Sequence, residues 1–413
     1  MQIYKVKRYF ALALDPIHIG TGGYRIGRVD NTIVREPATG IPKIPATSIE
    51  GVCRSYAYLK AKEDGELDES RYGGKKHPLA CAKGKKIKIK EKRIKNGEKK
   101  IIEVEKNPCG NCRLCVTFGY TTDNRSMQAM ALFSDARILF FPVATMIGPV
   151  WVTCPMVLRD AGIKEIDNGS EKDISEPNDN TFIVPENCKI NPPEGKLNFG
   201  WLLLNQDNSK KTNINNWIYY ENNKQKNLKD CGIPKEILSR IVIVSDDLFV
   251  TIVNSNLEVR TSVAIDPITG AAEEGALFTY EAIPRGTVLW FDVTYQNPEY
   301  FGLNGWNTTI IEKVVENGLS MFEYLGIGGM GSRGFGKLKV IGDFVAVDDY
   351  LKALEMRLKH LKDQGKNEEL EVECKYLKYF KESIKHRIGR GQEIINEIDR
   401  ILGEFCLGDE DGE

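Results

Sequence analysis

Four cysteines carry the clearest chemical signal in this 413-residue chain. In "PCGNCRLCVTFG", Cys109, Cys112 and Cys115 fall at C-x-x-C-x-x-C spacing, and Cys81 lies upstream. Thiolates so spaced in a tight knuckle suit one tetrahedral zinc ion, which takes four soft or borderline ligands. The segment between them, "IKIKEKRIKNGEKKIIEVEK", explains the gap. Asn96-Gly97 is a preferred pair for a two-residue hairpin turn, and the flanks alternate like strands. Closing that hairpin brings Cys81 beside Cys109. Four thiolates leave no open position, so the expected zinc is structural. His77 is a fifth candidate ligand. Free loop cysteines and an iron–sulfur cluster are the competing readings.

A lone acid comes next. Asp30 lies in the glycine-loosened "GGYRIGRVDN", among Arg25, Arg28 and Arg35. Nearby cations favour its ionised form, which could hold a divalent cation or steer a proton. Capping a turn or pairing with an arginine is the plainer use of such a residue. His18 reads as a loop-edge residue, and no Ser/His/Asp spacing stands out among four histidines. Third is "YLGIGGMGSRGFGKL", with Gly326, Gly328, Gly329, Gly331, Gly334 and Gly336 beside Arg333 and Lys337. Glycines admit φ > 0 and close approach by another molecule, and exposed N–H groups with cations suit a phosphate. Leu338 stands where a P-loop needs Ser or Thr, and the loop comes too late for a Rossmann fingerprint. A nucleic-acid backbone is the sharper candidate.

These residues need elements to hold them. Lys5 to Leu14 reads as a buried strand ended by Asp15-Pro16. "IPATSIEGVCRSYAYLKAKE" carries a helix start, with Thr47 or Ser48 as cap and Val52, Tyr56 and Leu59 on one face. Ala131 to Leu158 is strand-rich, and Gly162 to Asn198 is polar, Asn/Pro-rich and expected to be peripheral. Strands return at Ile241 to Ile252, Val259 to Ile265, Leu277 to Ile283 and Val288 to Tyr295, with a turn at Asp266 to Gly270. A helix over Thr309 to Leu325 leads into the glycine loop. The chain after Asp348 reads as helices with apolar residues three and four apart, ending in the acidic "GDEDGE". The class is α+β with a helical C-terminal appendix.

Composition excludes some functions. The 57 Lys+Arg nearly balance 58 Asp+Glu, so only local patches could bind nucleic acid. One such patch is the hairpin itself, where Lys83 to Lys106 holds eleven Lys/Arg against four Glu, a net +7. No apolar run approaches the roughly 18 residues of a membrane span, and no signal-peptide pattern opens the chain. Ten cysteines without a signal point to reduced thiols or metal rather than disulfides, and to a cytoplasmic protein.

Together, "HIGTGG…RVDNTIVREPATGIPKIPATSIEGVCR", "LFSDARILFFPV…GPVWVTCPMVL" and "GIGGMGSRGFGKL" resemble the RAMP proteins of type III CRISPR effector complexes. The middle segment most resembles the backbone RAMP of the Cmr (type III-B) complex, its fourth subunit; the glycine loop is closer to the equivalent Csm subunit. The resemblance implies a ferredoxin-like (RRM-like) core over 1–345, interrupted by the zinc-knuckle hairpin (72–118) and a polar insertion (161–230). It makes 259–283 a thumb hairpin that wedges between bases of the guide–target duplex, and leaves 346–407 as the helical appendix and 408–413 as the tail. It also implies copies stacking along a CRISPR RNA, beside other subunits of the complex.

Backbone subunits of this family cut complementary target RNA at regular intervals with an acid in the loop after the first strand and a divalent cation, Mg²⁺ or Mn²⁺. Asp30 matches that position. The reaction is attack by the ribose 2′-hydroxyl on its own phosphate, which spares DNA. His18, Arg28, Arg35, Thr47, Ser48, Arg54, Arg260, Gly328, Gly329, Gly331, Ser332, Arg333 and Lys337 are the expected RNA contacts. One departure stands out: the family pattern I-P-G-S-S-L-K-G reads "IPATSIEG" here, with Glu50 in place of the lysine, and Arg54 or Thr47/Ser48 as candidate substitutes. A non-catalytic filament subunit and a RAMP ribonuclease that matures CRISPR RNA, leaning on His18, are the alternatives.

Overall fold

The first strand, β1 (Tyr4–Ala13), buries Tyr9, Phe10 and Ala11 in succession, so both of its faces are covered. The structure, a computed structural model, describes residues 2–22, 29–63, 77–95, 98–178, 180–385 and 391–406. Around β1 stand α1 (Ala46–Glu63), β2 (Ala136–Thr145), β3 (Val288–Gln296), α2 (Thr308–Ser320) and β4 (Leu338–Ile341). The strands run in the order β4-β1-β3-β2, each pair antiparallel. The chain is a mixed α+β protein built on one eleven-stranded sheet.

Both helices lie together, and their closest approach is at Gly318. A Cβ there would sit 2.4 Å from the Cys53 carbonyl oxygen. A buried charge cluster fixes α2 to β1: Lys7 Nζ reaches Glu312 Oε1 at 2.6 Å and Glu316 Oε1 at 2.7 Å. Beside it the Tyr9 and Tyr295 hydroxyls meet at 2.8 Å. Pairing of this kind is what keeps buried charges tolerable.

Past β2 the sheet continues through Gly148–Thr153, Ile241–Val244, Thr181–Ile183, Leu202–Gln206 and Lys196–Phe199. Two readings of the sequence change here. The 162–198 stretch is not wholly peripheral, because Phe182, Ile183 and Leu197 are buried in strands of the main sheet. Its polar letters belong to the intervening turns and to a separate four-stranded sheet, whose Tyr219 meets Phe10 edge-on. The expected strand 241–252 stops at Val244, and Asp246–Ser255 is a helix. Two aspartates in its first turn favour the positive end of a helix over a strand.

The C-terminal helices α3 (Val347–Asp363), α4 (Asn367–Lys385) and α5 (Gly391–Phe405) dock on the core. Buried Glu373 joins them to the cysteine knuckle, accepting from Arg357 Nε at 2.7 Å and from Arg113. Arg357 stacks 3.6 Å over Trp306, and Arg113 stacks 3.7 Å over Tyr376. Cys374 and Cys406 form a disulfide, against the expectation of reduced thiols throughout. The helical turnback places their Cα atoms 5.7 Å apart, which spacing along the chain could not reveal. Among the described residues, no helix is long and apolar enough to cross a membrane.

Candidate functional site

Two strands, Glu258–Ile265 and Ala272–Ala282, form a hairpin bonded to no other sheet. It stands clear of the core, with Ile268 at its tip 92% exposed. Asp266 closes the turn, accepting from Ile268 N at 2.8 Å and Thr269 Oγ1 at 2.9 Å. Where the hairpin leaves the core, three separate sequence motifs meet.

The first is Asp30. Its Oδ2 accepts from both Thr279 N and Thr279 Oγ1 at 2.8 Å, and its own N–H donates to Thr279 Oγ1 at 2.9 Å. The Thr279 backbone N–H, and then its hydroxyl, hold the Asp30 carboxyl below the usual carboxylate range. Asp30 is half-buried, and its Oδ1 accepts no hydrogen bond among the described residues. One residue on, Asn31 pairs with Tyr280 as a short parallel bridge, so the loop is stitched along the hairpin strand.

Glu281 extends the stitching. Its carboxylate takes Ile33 N at 3.2 Å and Arg35 at 2.6 Å, and Arg35 Nε also donates to Asn254. Arg35 is therefore committed to protein partners. Arg28, like Arg25, lies outside the described residues.

The second motif is the glycine loop. Gly329 N donates to His18 O and Gly336 N donates to Pro16 O, each at 2.9 Å. At φ +86° Gly328 packs so closely that a Cβ would lie 2.5 Å from the His18 carbonyl oxygen. Met330 takes the left-handed φ of +65° without glycine's freedom, a local strain at the loop's crown. Past it, Gly331, Ser332 and Arg333 are exposed, as is Lys337, and none of these side chains has a polar partner among the described residues. His18 itself is buried, its Nδ1 2.6 Å from Glu281 O and its ring edge-on to Tyr280. It supports the loop and is poorly exposed for acid–base work.

Third, Arg260 links hairpin to loop. Its guanidinium stacks 4.7 Å over Phe335 and donates to Gly334 O at 3.3 Å. The side chain stays part-exposed and pairs with Glu258.

The start of α1 departs from expectation. The helix begins at Ala46, and neither Thr47 nor Ser48 caps it. Asp135 from the run before β2 takes the Ala46 N–H at 2.8 Å and the Lys43 ammonium at 2.7 Å. Thr47 is exposed and Ser48 half-buried. Burial pushes the Glu50 carboxyl up, with Arg54 partly opposing.

Arg54, expected as an RNA contact, is buried inside the protein instead. It donates to the carbonyls of Phe118 at 3.1 Å, Cys81 at 2.7 Å and Gly119 at 2.8 Å. A cation on the helix that follows the IPATSIEG motif was legible; the three carbonyls awaiting it were not.

Those carbonyls belong to the knuckle. Cys81 sits in the helix Pro78–Lys83, and Cys112 precedes the helix Arg113–Phe118. The sulfurs of Cys81, Cys109, Cys112 and Cys115 all lie within 4.8 Å of one another. Four thiols this crowded cannot all ionise without a cation between them, so the group could hold a metal ion. His77 is outside the group: its Nδ1 caps the helix, accepting from Leu79 N at 3.1 Å. The basic hairpin, Ile87–Lys95 with Glu98–Lys106, rises from this base in continuous antiparallel register, its Asn96-Gly97 turn outside the described residues.

With this geometry in view, the RAMP superfamily pattern matches residues 11–339. The chain belongs to the RAMP superfamily. This RAMP protein is 28% identical over 349 residues to the CRISPR system Cmr endoribonuclease Cmr4 of Pyrococcus furiosus, covering 82% of this chain and 95% of that one. A cryo-EM structure of type III-B Cmr-beta bound to cognate target RNA holds a chain of similar fold. There the TM-score is 0.50 and the identity 14%, covering 82% of this chain and 98% of that one. An oligomeric Cmr4 crystal structure from P. furiosus matches 83% of this chain and all of that one, at 21% identity and a TM-score of 0.46.

Sequence reasoning missed Thr279 and Glu281. A threonine and a glutamate in a strand carry no local signal, and only the fold sets them against Asp30 and Arg35.

Proposed function

We propose that this chain is a CRISPR RNA-binding backbone subunit of a type III effector complex, cleaving complementary target RNA at regular intervals by 2′-hydroxyl attack. Its partners are CRISPR RNA, target RNA, further copies of itself and the complex's other subunits, and it works in the cytoplasm. The observation that carries this reading is the meeting of Asp30, the glycine loop and the protruding hairpin at one point. Such a point can hold a backbone, part the bases and present an acid to one sugar.

The strand order β4-β1-β3-β2 with α1 and α2 supports a ferredoxin-like core. Within it the exposed Gly331–Arg333 turn and Lys337 take the RNA phosphates, which fixes register without reading bases. The hairpin, with Val263, Ile265 and Ile268 exposed, acts as the thumb that unstacks a base. Freed from its stack, the sugar can bring its 2′-oxygen into line with the scissile phosphate. Asp30, ionised and anchored through Oδ2, turns Oδ1 to the reacting hydroxyl and takes its proton as the 2′-oxygen bonds phosphorus and the P–O5′ bond breaks. The leaving 5′-oxygen gains a proton from water, giving a 2′,3′-cyclic phosphate and a 5′-hydroxyl. Arg260 and the loop N–H groups steady the phosphate as charge builds on it.

A divalent cation fits here only as an ion shared with substrate. Mg²⁺ commonly takes one or two carboxylates, water and substrate phosphate, and Asp30 would be its protein ligand, with the ion stabilising phosphate charge. The four cysteines hold zinc. About 2.3 Å Zn–S bonds in a tetrahedron set sulfurs about 3.8 Å apart, and the Cys109–Cys115 separation of 4.0 Å is close to that.

The three Asp30–Thr279 bonds are also what a loop-holding acid makes, and they carry the second reading, a non-catalytic filament subunit. Incubating the assembled complex with end-labelled complementary RNA separates the two. Cleavage products at a regular spacing, with the matching DNA left whole, support the first; intact RNA in a fully assembled complex supports the second.

A further inference from the structure

We infer that Thr279, on the second strand of the protruding hairpin, is a positioning residue for RNA cleavage, holding Asp30 so that one carboxylate oxygen faces the substrate. The inference rests on the catalytic reading of Asp30. Its basis is the redundancy of the contact. Thr279 N–H and hydroxyl both bond the same oxygen, Oδ2, while the hydroxyl also accepts from Asp30 N. A single hydroxyl thus spans the acid's side chain and its backbone, fixing the carboxylate's rotation. Holding the loop does not require that hydroxyl. Asn31 N donates to Thr279 O at 3.0 Å, and Glu281 N donates to Asn31 O at 3.0 Å, so main-chain bonds keep the loop on the hairpin. What the hydroxyl adds is the aim of the carboxylate.

The position also ties cleavage to the thumb. Thr279, Tyr280 and Glu281 are consecutive, and they contact Asp30, His18 and Arg35 in turn. Tyr280 stands opposite Arg260, which reaches the glycine loop. Through its two strands the hairpin thus touches both the acid and the glycine loop.

The test uses the assembled complex with guide RNA bound, and single-turnover cleavage of complementary RNA. Thr279→Val keeps the shape and removes the hydroxyl; Thr279→Ser keeps the hydroxyl; Thr279→Ala removes both hydroxyl and methyl. Val and Ala should slow cleavage by roughly 10- to 100-fold, the scale of a misplaced reacting group, with guide and target affinity unchanged within about 2-fold. Ser should restore most of the rate. If Val unfolds the thumb, the Ser–Ala pair decides alone, since both lack one methyl. Equal rates for Ser and Ala, or for Val and wild type, with Asp30→Ala inactive, would overturn the positioning role while leaving the catalytic reading intact. An Asp30→Ala complex that cuts as wild type would instead remove the reading on which it rests.

Discussion

The cysteine knuckle and the base of the protruding hairpin are both built by bringing distant segments together, yet they are finished in opposite ways. At the knuckle the four sulfurs turn toward one another. Cys81 and Cys115 are fully buried, and the carbonyls around them are answered by Arg54 from α1. At the hairpin base the valences are left half-made. Asp30 spends one oxygen on Thr279 and keeps the other, and Arg333 and Lys337 point outward. A closed thiolate group can stabilise a fold but has no place for substrate; an open carboxylate and exposed cations can meet an RNA at little cost to the fold.

Breaking the closed site should have the largest effect. Cys112→Ser with Cys115→Ser should release about one zinc ion per chain, since structural zinc supplies folding free energy outright. Assembly should fail before chemistry does. Elemental analysis and thermal melting check this, and wild-type protein without zinc would contradict it. A smaller loss follows at the brace. Arg54→Leu leaves three buried carbonyls unanswered and should lower stability by roughly 2–4 kcal/mol, with reduced zinc content. A denaturant melt measures it; guide affinity lost at unchanged stability would return Arg54 to the RNA face.

At the open site the balance inverts. Arg333→Glu with Lys337→Glu should leave the melting curve within about 0.5 kcal/mol, as exposed substitutions do. Guide RNA affinity should fall without regard to sequence, and the slope of log affinity against log salt should flatten by about 1 to 2. Filter binding across a salt series reads both. An unchanged slope would mean that the loop serves the fold alone.

The same division explains what was legible in the sequence. The knuckle was written in it: ligand spacing and alternating flanks brought Cys81 to Cys109, as the fold does. So was the protruding hairpin, because Val259 to Ile265 alternates and Asp266 marks a turn. The glycine loop announced close approach by another molecule; what Gly328 and Gly336 admit within the chain is the carbonyl oxygens of His18 and Ile327, where a Cβ would be. Hidden were the contacts made across the chain. Thr279 lies 249 residues from Asp30, and neither residue type nor neighbours reveal that they touch. Arg54 was expected to stand in for the family lysine that Glu50 replaces, while the carbonyls it serves come from a knuckle read separately. The strand expected over 241–252 failed for a local reason: an apolar run of that length fits strand or helix, and the two aspartates at its middle decide.

In the proposed reaction Asp30 acts on the hydroxyl that the rest of the hairpin base presents. The measurement is cleavage of labelled complementary RNA by the complex assembled with Asp30→Ala, with and without EDTA, beside guide and target affinities for the same preparation. Both affinities should match wild type within about 2-fold, since phosphate contacts elsewhere carry the binding. Cutting should fall by at least about 100-fold, the loss expected when a group acting in the transition state is removed. Cutting that persists at the wild-type rate in Asp30→Ala would contradict the account and move catalysis to another residue.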